Sequence, residues 1–249
     1  MLVAVTAFAA GQAVRVAPHS GATDVWGASF DPSHKITFTG KVTGIEVVTP
    51  SNASDSEVTL LVKNRQGGGT AVVDLGPSWF VNHQVAKIKA GDTVQVTGSK
   101  AMVDGHGIIL SSMIVLRGKG GPVLALRRPG GRAYWLGTEV ASNTQIPTGP
   151  NVIDGTISEM RTYTQNNVTY QAAVLQSPAG TTFVDLGPQW YYGWQNVSYQ
   201  IGNHVNVVIG PNPVTVTNTN IYPAYSVYSG NSIYTIRNAD GSPVYSWGQ

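Results

Sequence analysis

Between Lys35 and Arg128 apolar and polar residues alternate with a period of two, and clusters of Gly, Asn and Pro interrupt the alternation at short intervals. A side chain points to opposite faces at successive positions of a strand, so this pattern predicts half-buried β-strands. Six are expected, near Lys35 to Val48, Glu57 to Lys63, Thr70 to Leu75, Thr93 to Met102, Gly107 to Leu116 and Val123 to Arg128. One stretch breaks the period. In WFVNHQVAKIKAGD, Trp79 to Asp92, the apolar residues Val81, Val85 and Ile88 fall at helical spacing, which predicts a short helix between the third and fourth strands.

The pattern then repeats. VVDLGPSWF, Val72 to Phe80, returns as FVDLGPQWY, Phe183 to Tyr191, at an offset of 111 residues. Gly91-Asp92 falls on Gly202-Asn203 at the same offset. FTGKVTGIEV from Phe38 pairs with IDGTISEMRT from Ile153, VQVTGS from Val94 with VNVVIG from Val205, and LALRRPGGRAYW from Leu124 with YTIRNADGSPVY from Tyr234. These matches divide the chain into a lead-in (1–34), a first domain (35–135), a linker (136–150) rich in polar residues with Gly and Pro, and a second domain (151–249). The place of the first copy's helix is taken in the second by YYGWQNVSYQIGN, whose Gly and aromatics predict a shorter or irregular connector.

The duplicated string reads as a building unit. Val73 and Leu75 share one strand face, and Gly76-Pro77 ends the strand because proline cannot donate to a ladder and glycine permits a tight turn. Trp79 is then expected to fold over one mouth of a barrel, and Asp74 to face away from Val73 or to accept backbone N–H groups in the connector. Asp185, Gly187, Pro188 and Trp190 are expected to do the same in the second copy. Asp74 and Asp185 could instead be catalytic acids or metal ligands, but no second positioned group stands near either in the sequence.

Five or six strands with one connector between the third and fourth is the order of an oligonucleotide/oligosaccharide-binding (OB) barrel. With a glycine-marked first strand, a tryptophan-bearing connector, Gly-Asp and a V-x-V-x-G strand, the chain resembles exported bacterial OB-fold proteins in two tandem copies. The resemblance implies an all-β protein of two OB-like barrels. It implies no particular chemistry, because this fold hosts many unrelated activities.

Composition agrees with a turn-rich β protein: only 11% of residues are charged, 42% are hydrophobic, and there are 29 glycines and 14 prolines. The net charge of +2 is uneven, since residues 151–249 hold two bases against four acids, a net −2 that leaves +4 on residues 1–150. The absence of cysteine excludes disulfides, thiolate metal sites, cysteine nucleophiles and covalent c-type haem attachment within the chain. MLVAVTAFAAGQA at the start reads like the apolar half of an export signal, so a periplasmic or extracellular location is expected, and no other segment approaches the about 20 apolar residues of a membrane span.

No nucleophile elbow, phosphate loop, dinucleotide fingerprint or H-E-x-x-H motif is present, and Asp104-Gly105-His106 reads as a hairpin turn before it reads as a metal pair. No catalytic, cofactor or metal residue is therefore assigned. The candidate contact residues are the basic group Arg117, Lys119, Arg127, Arg128 and Arg132, and the aromatics Tyr191, Tyr192, Trp194 and Tyr199. Five bases make a weak field for nucleic acid, and the aromatics lie in an acidic half. The expected function is a non-catalytic binding or structural module acting through a protein partner or copies of itself. Glycan or single-strand binding comes next, and a hydrolase with a non-local site last.

Overall fold

The computed structural model describes residues 22–51, 53, 55–84, 86–118, 121–140, 145–195, 197 and 199–245. The chain divides into two compact units, one containing Thr23–Leu136 and the other Gly137–Val244. In the first, a 3-10 turn at Gly27–Ser29 precedes β1 (Lys35–Val48), β2 (Glu57–Asn64), β3 (Thr70–Pro77), α1 (Ser78–Val81), β4 (Thr93–Val103), β5 (His106–Leu116) and β6 (Val123–Ala125). The sheet order is β3-β2-β1-β4-β5-β6, and a parallel pairing of β3 with β5 at Val73↔Ile109 and Asp74↔Leu110 closes it into a five-stranded barrel with β6 on its flank. β1 serves both β4, through Lys35–Lys41, and β2, from Gly40 onward.

The second unit follows the same plan with β8 (Val152–Gln165), β9 (Val168–Ser177), β10 (Gly180–Pro188), α2 (Gln189–Tyr192), β11 (His204–Ile209), β12 (Val214–Val216), β13 (Thr219–Ser229) and β14 (Ser232–Thr235). β10 closes on β13 at Phe183↔Ile221, Val184↔Tyr222 and Asp185↔Pro223. The long β4–β5 hairpin of the first unit is broken here into β11 and β12, both paired with β13. One further strand, β7 (Thr138–Val140), lies in the stretch expected as linker and pairs with β14. Its entry is fixed by Gln195 Oε1, which accepts from Gly137 N at 2.8 Å and Thr138 N at 3.2 Å. The architecture is thus all-β, with two tandem OB-like barrels.

Each barrel is filled by the inward set of its alternating strands. In the first, Val58, Leu60 and Val62 on β2, Val73 and Leu75 on β3, and Val94 and Val96 on β4 are buried; in the second, Ala173 and Leu175, Val184 and Leu186, and Val205 and Val207 take those places. The two-residue turns follow the predicted chemistry. Asp104 and Gly105 have φ of 49° and 79°, the left-handed pair of a type I′ hairpin.

The repeated corner is where a strand becomes a plug. Asp74 Oδ1 accepts from Gly76 N at 3.1 Å, and Asp185 Oδ1 from Gly187 N at 2.9 Å. Gly76 and Gly187 have φ of 99° and 94°, a region L side chains rarely enter. Pro77 and Pro188 are extended residues from which the four-residue helices start. The helix expected from Trp79 to Asp92 is therefore a single turn, completed by Asn82 N to Ser78 O and two tighter bonds from His83 and Gln84. Its apolar spacing comes from covering the barrel mouth, where Val81, Ala86 and Ile88 line a cavity of about 100 Å³ with Ile45 and Leu60.

The residue that enters each barrel is the one after the expected tryptophan. Phe80 and Tyr191 have no exposed surface, whereas Trp79 is 8% exposed and Trp190 half-buried. Both tryptophans instead stand edge-on to that inner ring, at 5.9 and 5.8 Å. Asp74 and Asp185 serve the turn by bonding the glycine N–H, with no side-chain cap on either helix.

A Cβ on Gly76 would lie 2.5 Å from the Trp135 ring as well as require positive φ, so Gly76→Ala should lower unfolding free energy by about 2–3 kcal/mol. Phe80→Ala should cost about 3–5 kcal/mol by leaving the plug empty. Urea unfolding followed by tryptophan fluorescence checks both.

Candidate functional site

Beneath the first corner lies an ionic cluster assembled from distant parts of the chain. β2 and β3 pair Thr59 with Asp74 and Glu57 with Pro77, on the face opposite the barrel interior. Glu57, Thr59 and Asp74 are nevertheless buried, as is Asp55. What covers them is the hairpin after β6, which carries Arg127 and Trp135, and the lead-in from Thr23 to Phe30. Arg127 NH1 donates to Asp24 Oδ2, and NH2 donates to Asp24 Oδ1 at 2.9 Å. The guanidinium lies between the rings of Phe30 (5.1 Å) and Trp135 (5.2 Å) and also reaches Gly131 O. Trp135 Nε1 holds Thr23 O at 2.9 Å.

One arginine thus faces four acids. Burial pushes the Glu57 carboxyl up to about 9, helped by the charges of Asp74, Asp24 and Asp55 and opposed by Arg127. Burial also raises Asp74 to about 7, against the Gly76 N–H and Arg127. Both groups therefore keep protons at a pH where ordinary carboxylates have lost them.

The second unit solves the same problem differently. Arg237 occupies the place of Arg127, each making an isolated bridge six residues on, to Pro243 and Ala133 respectively. Arg237 NH2 donates to Asp185 Oδ2 at 2.5 Å, and NH1 donates to Ala224 O at 2.7 Å. Here the corner aspartate itself neutralises the arginine. The outer face at that end is covered by aromatics, with Tyr163 stacked on Tyr170 at 5.1 Å beside Phe183, Ala172, Val216 and Ile221.

The contact residues expected from sequence fall in different settings within each unit. Arg127 is buried and ion-paired, so it is no surface base. Arg128 lies over Tyr134 at 5.7 Å, Arg132 NH2 donates to Leu136 O, and Arg117 is exposed. Lys119 lies outside the described residues. Tyr191 is a core residue, which removes it as a stacking platform, and it packs with Tyr192 and Tyr199 around the buried Tyr234. Burial pushes the Tyr192 hydroxyl up to about 12 and that of Tyr199 higher still. Trp194 is half-buried, and its carbonyl accepts from Ala22 N.

An open groove lies at the other end of the first barrel, where β3 and β5 diverge. A cavity of about 350 Å³ is lined by Ala71, Val72, Lys100, Ala101, Met102, Gly107, Ile108 and Ile109. A second, of about 340 Å³, shares Ala71, Lys100 and Ile109 with it and adds Ile36 and Phe38. Met102 is 69% exposed and Val72 37%. The offset of 111 puts Phe183, a member of the aromatic cluster on the second unit's outer face, where Val72 stands. Sequence reasoning missed both this groove and the Asp24 clasp. The signal for the clasp was Thr23-Asp24-Val25 set against Thr138-Glu139-Val140, at the 115-residue offset that relates Gly40 to Gly155.

Among the described residues no group of three or more His, Cys, Asp or Glu side chains is placed to hold a metal ion, and no helix is long and apolar enough to cross a membrane. A family model described as the MamS/MamX magnetosome protein family matches residues 35–120, about a third of the chain. No curated protein matches. Solved structures with similarity include the tetrameric p202 HIN2 (14% identity, TM-score 0.23, 82% of this chain and 94% of that one). They also include a replication protein A heterotrimer bound to single-stranded DNA (8%, 0.24, 86% and 51%) and a murine DNA-binding protein bound to double-stranded DNA (10%, 0.21, 81% and 98%). None superimposes closely enough to bear on what this chain binds.

Because Arg127 is buried against a carboxylate, Arg127→Met should cost about 3–5 kcal/mol by orphaning that charge, and exposed Arg117→Ala less than about 0.5 kcal/mol. The raised acids set a pH dependence. Glu57 and Asp74 bind protons more tightly folded than unfolded, so their contribution is complete below about pH 4 and is lost as pH rises through about 7 and then 9. The urea midpoint should therefore fall from pH 5 to pH 9, and Glu57→Gln should flatten the upper part of that fall.

Proposed function

We propose that this chain is a non-catalytic, exported module that acts at the magnetosome through protein contact, with the groove between β3 and β5 of the first barrel as its contact surface. The observation that carries the reading is the groove itself: two adjoining cavities with mainly apolar walls, where Lys100 is the one charged residue and Asn64 and Thr70 are polar. Exposed apolar surface of this kind marks interaction sites, and methionine suits a surface that must adapt to a partner's side chains. The groove also lies wholly within the segment matched by the magnetosome family model, and the second repeat carries Phe183 at the position of Val72.

The apolar N-terminal segment supports export. Two features weigh against a nucleic-acid strand as the ligand. At the corner end, the β2–β3 outer face, which OB barrels use for oligonucleotides, carries the buried acids Glu57 and Asp74. Three of the five bases named from the sequence, Arg127, Arg128 and Arg132, are engaged in an ion pair, an aromatic stack and a backbone contact.

The test is a photo-crosslinking side chain at Met102 in magnetosome-forming cells, with the same probe at exposed Ile201 of the second repeat as control. A discrete polypeptide adduct from position 102, either another protein or a second copy of this chain, that disappears with Val72→Glu is the expected result. Equal adducts from both positions, no adduct from position 102, or an adduct removed by nuclease would contradict the proposal.

A further inference from the structure

The two repeats hold an arginine at the same place in two different pairings, Arg127 buried and Arg237 with 12% of its side chain exposed, and that difference has a consequence for the lead-in. In the second repeat Asp185 bonds both the corner glycine and Arg237. In the first, the Asp74 carboxyl group accepts from the corner glycine, with no bond to Arg127 among the described residues, and Arg127 is turned toward Asp24 on the lead-in. The Nε of Arg127 is buried and makes no hydrogen bond among the described residues. We propose that Thr23–Phe30 is a releasable cover on the outer face of the first barrel, latched by Asp24 on Arg127 and unlatched when Arg127 pairs with Asp74 as Arg237 pairs with Asp185.

The latch is the polar half of the cover and Phe30 the apolar half. Phe30 packs with Ile108 and Leu110, flanked by Trp26, Ala101 and Val103, and its ring lies within 2.8 Å of where a Cβ on Gly131 would stand. Asp31 N donates to Ser99 Oγ at 3.0 Å just beyond it. Among the described residues the cover is held by the Asp24–Arg127 ion pair, the indole bond to Thr23 O, and the Phe30 ring with Trp26 beside it. Release would uncover Ile108 and Leu110, and Ile108 also lines the groove, so the cover's state sets the extent of that apolar surface.

What moves the balance is charge on the acids facing the latch. Those acids are Asp74 on β3, Glu57 on β2 and Asp55 before it, with Asp24 on the cover and Arg127 as the cation. While Asp74 and Glu57 are protonated, Asp24 is the carboxylate that holds Arg127. Once Asp74 ionises it becomes a nearer-to-home competitor for the guanidinium, and an ionised Glu57 repels Asp24. The cover should be closed in mildly acidic solution and released as pH rises through and above neutrality.

Hydrogen exchange read by mass spectrometry on the full chain tests this, with rates corrected for the intrinsic effect of pH. Between pH 6 and pH 9, protection of peptides spanning Thr23–Asp31 should fall at least about tenfold, the equivalent of one pK unit. Peptides from β4 should keep theirs, which separates local release from global unfolding. Asp74→Asn with Glu57→Gln should hold the cover closed at pH 9, and Asp24→Asn should open it at pH 6. The proposal is overturned if wild-type protection at Thr23–Asp31 is the same at both pH values, if β4 loses protection in parallel, or if the double variant opens as the wild type does. Should Asp24→Asn fail to fold, the wild-type and double-variant comparison still decides.

Discussion

A guanidinium buried under a barrel corner must be met by a carboxylate, and much of this protein follows from how each repeat meets that demand. An isolated buried charge costs several kcal/mol, so neither Arg127 nor Arg237 could remain where it is without a partner. The corner supplies one naturally. An aspartate that turns the strand by bonding the N–H two residues on has a second oxygen free, and in the second repeat that oxygen takes the arginine. The turn, the positive-φ glycine, the proline and the aromatic plug then form one mechanical unit, because the residue that shapes the backbone also anchors the hairpin that packs over it.

The first repeat keeps the mechanical part and changes the electrical one. Its arginine is met from outside the barrel by Asp24, and the corner aspartate is left buried among other acids. This arrangement recruits the lead-in to the fold and places protonatable carboxyls beneath it. The second repeat takes in its own preceding segment, β7, as a strand on β14, and its outer face carries Tyr163, Tyr170 and Phe183. The two repeats thus differ in where the arginine finds its counter-charge, within the second barrel and on the lead-in in the first, and the first has an open groove of mainly apolar walls.

The sequence carried most of the architecture and little of the site. Period-two alternation placed the main strands because inward and outward positions differ in polarity, and the copied DLGP string located both corners because Asp, Gly and Pro each have a backbone reason to be there. Other features were hidden for identifiable reasons. Trp79 drew attention by size, but the short helix turns the next residue inward, so Phe80 and Tyr191 are the plugs. Arg127 looked like a surface base because its partner lies 103 residues away, a distance at which local pattern is silent. Tyr191, Tyr192 and Tyr199 looked like a stacking platform because a tyrosine facing a core and one facing a ligand have the same letter. β7 was read as linker because three residues carry too little periodicity to register as a strand.

The central claim, that the two arginines draw their counter-charge from different acids, is tested most directly by double-mutant cycles at pH 6. Asp185 with Arg237, and Asp24 with Arg127, should each show coupling of about 2 kcal/mol or more, and Asp74 with Arg127 less than half of that. Coupling between Asp74 and Arg127 equal to or larger than that between Asp24 and Arg127 would contradict the account.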